Sequence, residues 1–246
     1  MEHESKIKIV FFGGFKEFSE IYLKALREAG FEIVSEAKDA DLGVIAYYGK
    51  IIPKNVLELP KKGFLNAHPS LLPRWRGPSP IQAAILAGDT KTGMTIHLTT
   101  DQVDAGDILA QKEIPINAED TCASLTERLA HEGAALLIPT IEKWLSGEIK
   151  PQKQDGAKAT YTKLLKKADG KIDWSRDAVY MERMVRAYDP WPGTYTEIDG
   201  KILKIKKVEV ADNKLKLLIV QPEGKKEMSW EAYLLGHPDF TKELLR

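Results

Sequence analysis

The first half of the chain alternates short, continuously apolar runs with segments in which apolar residues recur at helical spacing. Ile7 to Phe12 (IKIVFF) is such a run; Gly13-Gly14 ends it, and Phe18 to Ala29 follows with helical spacing. Asp41 to Tyr48 and Gly63 to His68 have the composition of two more buried strands. Strands that alternate with helices in this way predict an α/β layer around a mostly parallel sheet.

The same half carries signals for two shorter helices and a pair of strands. Pro53 to Leu59 predicts a short helix, and Pro80 to Ala87 predicts another with proline in its first turn. Met94 to Thr100 alternates like a strand, and Asp107 to Ile114 can pair with it.

A long amphipathic helix ends this half of the chain. Asp120 or Thr121 is the predicted cap, and Gly147 is the predicted end. We therefore place a first domain at residues 1–150. Residues 151–171 are polar, lysine-rich and weakly periodic, as an interdomain linker would be.

The remaining residues, 172–246, have a different pattern and predict a second domain. Asp173 to Tyr188 predicts one helix, and Thr194 to Ile205 contains two strand-like runs around Asp199-Gly200, a strong signal for a two-residue hairpin. A second hairpin is expected at Asp212-Asn213. Short strands joined by tight turns suggest a small closed β-barrel, and the oligonucleotide-binding (OB) type is one candidate.

Composition excludes several classes of protein. Acidic and basic residues balance at 36 each, so the overall charge indicates neither a nucleic-acid nor a membrane partner. The single cysteine, Cys122, rules out an internal disulfide framework and a cysteine-based zinc site. The charged start and the lack of an apolar run of about 18 residues argue against a leader and a membrane span. We expect a soluble, cytoplasmic, monomeric protein that needs no metal.

The stretch NAHPSLLPRWRG, from Asn66 to Gly77, contains the strongest candidates for chemistry. Asn66 and His68 end a predicted strand, and ligands of open α/β sheets bind outside the carboxyl ends of the strands. Residues two apart in a strand point to the same side, so the amide and the imidazole should converge. Together they could bind an oxygen that gains negative charge during acyl transfer. Asp104, in the glycine-containing loop DQVDAGD, is the best candidate for a carboxylate partner; all three residue types are also common turn formers.

Three other features favour structural roles. Gly13-Gly14 lacks the G-x-G-x-x-G spacing of a dinucleotide site, so a tight turn between strand and helix is the favoured interpretation. We interpret His97 as a satisfied histidine within a strand. Cys122 has no histidine nearby in the sequence and is interpreted as a small structural residue.

Residues 66 to 111 closely resemble the core of formyltransferases that use 10-formyltetrahydrofolate. SLLPRWRG, residues 171 to 195 and residues 220 to 236 resemble the methionyl-tRNA formyltransferase branch of that family. The resemblance implies a Rossmann-like formyltransferase domain followed by an OB-like domain, with transfer of a formyl group to initiator methionyl-tRNA. It implies catalytic roles for Asn66, His68 and Asp104, and folate contacts for Ser70, Leu71, Leu72 and Pro73.

The folate cleft implied by this resemblance would have two sides. Leu71, Leu72 and Pro73 would form one side, unless the two leucines are simply core residues. The other side would come from the AYYG stretch, with Tyr48 and Gly49, and from the loop between Val103 and Asp107.

The sequence departs from the family between Ala37 and Asp41. Only three residues, Lys38, Asp39 and Ala40, separate two strand-like runs there, whereas familiar members carry a long insertion that helps to bind tRNA. A parallel crossover normally needs about a dozen residues or more, so we favour a shortened sheet with an irregular edge.

The missing insertion leaves the acceptor open, because enzymes that formylate nucleotide-linked amino sugars resemble the same core. A non-catalytic module that binds folate or RNA is a further alternative. If the acceptor is tRNA, other residues must bind it, and we predict contacts from Arg74 and Arg76, which flank Trp75, and from lysines of the second domain. These lysines are Lys204, Lys206 and Lys207.

Overall fold

The computed structural model describes residues 6–14, 16–198 and 200–237, and the chain divides into two compact units. The first unit contains residues 1–80, 91–115 and 126–163, and the second contains residues 81–90, 116–125 and 164–246. The second unit thus takes in two segments from the predicted first domain. The predicted boundaries at 1–150, 151–171 and 172–246 stay a prediction.

The described strands of the first unit form one mixed sheet. They are β1 Lys8–Gly13, β2 Glu32–Val34, β3 Leu42–Ala46, β4 Phe64–His68, β5 Lys91–Leu98 and β6 Ile108–Pro115. Their order is β2-β1-β3-β4-β5-β6; the first four strands are parallel, and β5 and β6 pair antiparallel. All five residues of β3 are buried, as its continuously apolar sequence requires. The predicted Rossmann-like α/β layer is confirmed.

The edge of this sheet is short, as predicted. β2 pairs with β1 over only three residues, from Glu32 to Val34, and the chain then crosses to the other side of β1 through residues 35–41. A single 3₁₀ turn, Ala37–Asp39, occupies this connection, and Ala37 and Ala40 are buried in a cluster with Val10 and Phe64. The small alanine side chains allow so short a crossover to pack directly on the sheet.

The helices predicted from the sequence are present, one of them with a different start, and the short helix Trp230–Leu235 was not predicted. They are α1 Lys16–Glu28, α2 Lys54–Leu57, α3 Pro80–Ala87, α4 Cys122–Leu145, α5 Ala178–Ala187 and α6 Trp230–Leu235. The prediction that α5 begins at Asp173 is wrong. Asp173 Oδ1 accepts hydrogen bonds from the backbone N–H and the hydroxyl of Ser175, which forms a local turn, and Asp177 caps the helix by accepting from the Tyr180 N–H.

Two smaller predictions concern the start of α4 and the Gly13-Gly14 turn. Thr121 immediately precedes α4, and its hydroxyl accepts from the Ser124 N–H at 3.3 Å, so Thr121 is the cap. The Gly13-Gly14 turn is a close backbone approach: a Cβ on Gly14 would lie 2.1 Å from the Tyr47 carbonyl oxygen. The structural interpretation of this glycine pair is therefore confirmed.

The described strands of the second unit form an antiparallel sheet. They are β7 Thr194–Ile198, β8 Lys201–Ala211, β9 Lys214–Pro222 and β10 Met228–Ser229, in the order β10-β9-β8-β7. The predicted hairpin at Asp212-Asn213 is confirmed; both residues have positive φ (52° and 58°), as a two-residue hairpin turn requires. β7 pairs with β8 through Ile198 and Lys201, although Asp199 lies outside the described residues. Closure of the sheet into a barrel stays a prediction, because the described strands lie in linear order.

Among the helices of residues 6–14, 16–198 and 200–237, none is long and apolar enough to span a membrane.

Candidate active site

The structure brings together the three residues predicted to be catalytic. Asn66 and His68 lie at the carboxyl end of β4, and Asp104 lies in the loop between β5 and β6. Asn66 Nδ2 lies 3.2 Å from Asp104 Oδ1, and His68 Nδ1 lies 3.6 Å from Asp104 Oδ2. One carboxylate therefore faces both the amide and the imidazole. Their catalytic roles stay a prediction at this point.

His97 completes this group, and the sequence interpretation missed it. It lies directly opposite Asn66 in the β4–β5 ladder, with its Nε2 3.2 Å from Asn66 Nδ2 and 3.6 Å from Asp104 Oδ1. It is a satisfied strand histidine as predicted, since its Nδ1 lies 2.9 Å from the Leu98 carbonyl oxygen, but its other nitrogen faces the candidate site. The sequence could have indicated this role only through the register of β4 and β5, because their antiparallel pairing places His97 beside Asn66.

Asp104 is held in a conformation that few residues adopt. Its φ is +48°, and its Oδ2 accepts a hydrogen bond from the Gly77 N–H at 2.8 Å. Burial alone would raise the pKa of Asp104, but the charge of His68, contact with His97 and the Gly77 hydrogen bond lower that pKa well below its usual range. Asp104 is thus ionised at neutral pH.

His68 is buried between Asp104 and the loop that follows β4. Its Nε2 lies 3.0 Å from the Trp75 carbonyl oxygen, which can only accept, so this nitrogen carries a hydrogen and Nδ1 faces the carboxylate. Burial lowers the pKa of His68 below 6.5; the Asp104 charge opposes this shift, and His97 adds to it. The imidazole is therefore neutral at neutral pH, and the Asp104 carboxylate reduces the cost that burial adds to its protonation.

Two of the four predicted folate contacts in SLLPRWRG are buried. Ser70 has no exposed surface, and its hydroxyl donates to the Arg74 carbonyl at 2.6 Å. Leu72 is 3% exposed, and its backbone binds Thr95 and Gln111. In this structure both side chains support the loop, and contact of these residues with folate stays a prediction. Leu71 and Pro73 remain partly exposed.

The opposite side of the predicted folate cleft is more accessible. Tyr48 is half-buried and packs edge-on against Phe12, while Gly49 is exposed. Val103 is 58% exposed, and Asp107 is half-buried with its carbonyl bound to the Leu98 N–H. The glycine of this loop allows a close backbone approach within the protein. A Cβ on Gly106 would lie 1.7 Å from the Leu98 carbonyl oxygen, so the glycine lets the loop pack on β5.

Arg76 is not placed to bind a phosphate. It is 6% exposed, its guanidinium donates two hydrogen bonds to Gln154 Oε1 and its Nη1 lies 3.3 Å from the Tyr161 hydroxyl. We therefore correct its predicted tRNA contact to a structural role. Arg74 is exposed, and its guanidinium stacks 4.3 Å above the half-buried Trp75 ring, so this pair still offers a cationic and aromatic surface.

The three predicted tRNA lysines lie on β8 of the second unit and differ in their surroundings. Lys206 lies 3.3 Å from Asp189 and 3.7 Å from Glu227, which balance its charge. Lys204 and Lys207 are exposed, and no carboxylate of the residues with described coordinates forms an ion pair with them. Lys204 and Lys207 are the better candidates for binding phosphate.

Sequence comparison identifies the family to which this chain belongs. The model of the formyl transferase family matches residues 14–141, and the model of the formyl transferase C-terminal domain matches residues 164–216. The chain belongs to the formyl transferase family.

Its relatives include several methionyl-tRNA formyltransferases. That of Chloroflexus aurantiacus is 43% identical over 229 residues, which cover 82% of this chain and 74% of that protein. That of Acidiphilium cryptum is 43% identical over 221 residues, covering 82% and 72%.

Solved structures of low sequence identity share the fold. HypX from Aquifex aeolicus in complex with tetrahydrofolic acid has a TM-score of 0.75 at 18% identity over 94% of this chain, which spans about half (47%) of HypX. Methionyl-tRNA formyltransferase from Clostridium thermocellum has a TM-score of 0.69 at 18% identity, over 88% of this chain and 98% of that one. A sugar N-formyltransferase from Shewanella has a TM-score of 0.67 at 21% identity, over 82% and 97%.

Proposed function

We propose that this protein transfers the formyl group of 10-formyltetrahydrofolate to the α-amine of initiator methionyl-tRNA. The observation that carries the proposal is that Asn66 Nδ2 and His68 Nδ1 lie 3.2 and 3.6 Å from the Asp104 carboxylate. The chain that holds this group is 43% identical to a methionyl-tRNA formyltransferase over 229 residues. In the reaction, the amine nitrogen bonds to the formyl carbon, the bond from that carbon to the folate nitrogen breaks, and the amine proton passes to the departing nitrogen.

Asn66 has the role of oxyanion donor in this proposal. Both hydrogens of its amide are directed at partners of the protein, His97 Nε2 and Asp104 Oδ1, each at 3.2 Å. Hydrogen bonds of this length are at the long end of the usual range. One can therefore be exchanged for a bond to the formyl oxygen, which strengthens as that oxygen gains negative charge.

In this proposal, His68 and Asp104 stabilise the charge that develops during the reaction and assist proton transfer. The Asp104 carboxylate orients His68 and stabilises its protonated form, which would help to balance the negative charge developing on the formyl oxygen. The ionised carboxylate can also accept a hydrogen bond from a water that relays the amine proton to the departing nitrogen. His97 Nε2 also lies 3.6 Å from Asp104 Oδ1, so both imidazoles face this carboxylate.

The residues around this group fit a flat, partly apolar folate ring. Leu71 and Pro73 on one side, and Tyr48 and Val103 on the other, combine apolar surface with partial exposure. Gly49 adds polar backbone beyond the carboxyl end of β3, where ligands of α/β sheets bind, and Asp107 precedes β6. When bound, the folate supplies the formyl group, and these residues orient it.

The short β2–β3 connection lacks the insertion that helps other family members to bind tRNA. Two other surfaces of this chain could bind tRNA instead. The Arg74–Trp75 pair offers a stacking surface for a terminal base, and Lys204 and Lys207 offer exposed positive charge to phosphates. The proposal includes cytoplasmic action, where charged tRNA is used, and a monomeric protein.

A direct assay tests the acceptor. The purified protein receives 10-formyltetrahydrofolate with charged initiator tRNA or, in a parallel reaction, with nucleotide-linked amino sugars. We expect formyl-methionyl-tRNA as the product and no formylated sugar. An Asn66→Ala variant that folds normally should turn over about 100- to 1000-fold more slowly. Formylation of the sugar alone would overturn the tRNA assignment, and an unaffected Asn66→Ala variant would overturn the role of the amide.

A further inference from the structure

Gln154 joins the two loops that surround the candidate active site. Its side-chain Nε2 donates hydrogen bonds to the carbonyl oxygens of Asp104, at 2.9 Å, and Gly106, at 2.7 Å. Its Oε1 accepts two hydrogen bonds from the Arg76 guanidinium, from Nε at 3.1 Å and from Nη2 at 2.7 Å. Both hydrogens of the Gln154 amide thus bind the loop between β5 and β6, and its oxygen binds Arg76 in the loop after β4.

Both loops need external support, because both contain backbone in the left-handed region. Asp104 has a φ of +48°, and Trp75, adjacent to Arg76, has a φ of +62°. Such conformations are unfavourable for residues other than glycine and persist only where surrounding contacts hold them. The two loops also supply the contacts of the site itself, since the Trp75 carbonyl binds His68 and the Gly77 N–H binds Asp104.

The segment that carries Gln154 is anchored without its side chain. Gln152 exchanges two backbone hydrogen bonds with Ile108, at 2.8 and 2.9 Å. Farther along, the backbone of Arg76 donates to Thr160 and accepts from Thr162, at 2.9 and 2.7 Å. The segment that was predicted as linker therefore pairs with the edges of the site, and a change confined to the Gln154 side chain should leave its path unchanged.

We propose that Gln154 is a positioning residue for formyl transfer, which fixes the Asp104 carboxylate relative to Asn66 and His68. The inference rests on the proposed function. A carboxamide is required here, because it alone among side chains of this size donates two hydrogen bonds to carbonyls and accepts two from a guanidinium. Displacement of a reacting group by about 1 Å can cost on the order of 100-fold in rate, so support of this kind affects turnover directly.

Two variants separate the halves of the amide. Gln154→Glu keeps the acceptor for Arg76 but cannot donate to the carbonyls of Asp104 and Gly106, and Gln154→Met removes all four hydrogen bonds without adding charge. The matched control is Gln152→Glu, the same chemical change two residues away, at an exposed side chain held only through its backbone. Measurements are kcat and KM for formylation of methionyl-tRNA, the Kd of a folate analogue, the melting temperature and the pKa of His68 by NMR.

We expect both Gln154 variants to lose about 10- to 100-fold in kcat. The folate Kd should stay within about twofold of the parent. In Gln154→Met, which adds no charge, the pKa of His68 should move further down as Asp104 loosens. Gln152→Glu should match the parent. Parental kcat in both Gln154 variants would overturn the proposal, as would losses of kcat that merely follow a fall in melting temperature with the pKa of His68 unchanged. A parent protein without formyl transfer would instead refute the proposed function.

Discussion

Asn66 and His97 face each other across two antiparallel strands, and their side-chain nitrogens Nδ2 and Nε2 lie 3.2 Å apart. The His97 Nδ1 lies 2.9 Å from the Leu98 carbonyl oxygen and therefore carries the hydrogen, which leaves Nε2 as an acceptor in the neutral ring. An acceptor at this position fixes the orientation of the Asn66 amide, with its nitrogen turned toward Asp104. The β4–β5 register thus determines which atom of the Asn66 amide faces Asp104.

Replacement of His97 should lower turnover. In His97→Leu, the Asn66 amide loses the acceptor that orients it, so we expect kcat to fall about tenfold or more, with little change in folate affinity. His131, an exposed histidine of α4, supplies the control as His131→Ala. Steady-state kinetics of formyl transfer decide the matter, and a His97→Leu variant that folds normally and keeps parental kcat would contradict the orienting role.

The His68 and Asp104 pair should titrate in a defined direction. NMR should give the His68 imidazole a pKa below 6.5, and Asp104→Asn should lower that pKa further, because the carboxylate opposes the effect of burial. An upward shift of the His68 pKa in the variant would show that the carboxylate does not act on the imidazole.

The same shift makes stability depend on pH. Since the native pKa of His68 lies below that of the unfolded chain, the unfolded state binds more protons in this window. The free energy of unfolding should therefore fall as the pH drops from about 6.5 through the native pKa, with a slope of at most about 1.4 kcal/mol per pH unit from this group. Urea unfolding of the parent and of His68→Gln across this pH range tests it, and identical slopes would contradict the assignment.

Gly77→Ala should be more destabilising than an ordinary glycine substitution. Gly77 has a φ of +106°, and an added Cβ would lie 2.8 Å from both the carbonyl oxygen and the hydroxyl of Thr162. Gly147→Ala is the matched control, with a φ of +79° and open space around the added Cβ. We expect a cost of about 1 kcal/mol for Gly147→Ala and clearly more for Gly77→Ala, with loss of turnover only in the latter. Equal costs by chemical unfolding would show that Thr162 moves away freely.

Lysines on β8 should contribute unequally to the salt dependence of tRNA binding. Lys204→Gln and Lys207→Gln should each reduce the slope of log affinity against log salt by about 1, as expected for the loss of one phosphate contact. Lys206→Gln should change it less, because Asp189 and Glu227 already balance that charge. Binding to charged initiator tRNA across a salt series measures the slopes, and three equal effects would contradict the distinction.

Local sequence alone determined the elements of this protein and the position of its site in the chain. The apolar runs predicted β1, β3 and β4, because a strand buried in a parallel sheet must be apolar along its length. Pro80 to Ala87 was predicted with its observed bounds, and Asp212-Asn213 was predicted as a turn because few other residue pairs accept positive φ twice. Asn66, His68 and Asp104 were proposed from strand ends, loop composition and family resemblance.

Tertiary structure decided the partners of those residues. His97 joins the site through strand register, Arg76 is buried by Gln154 and Tyr161, and Gln154 itself comes from a stretch whose polar composition indicated a linker. A polar side chain looks the same in the sequence whether it faces water or a buried carbonyl. Folding brings Gln154 within about 3 Å of Gly106 and Arg76, which lie 48 and 78 positions away in the sequence. This pairing distinguishes a buried, structural arginine from one that is free to bind a ligand.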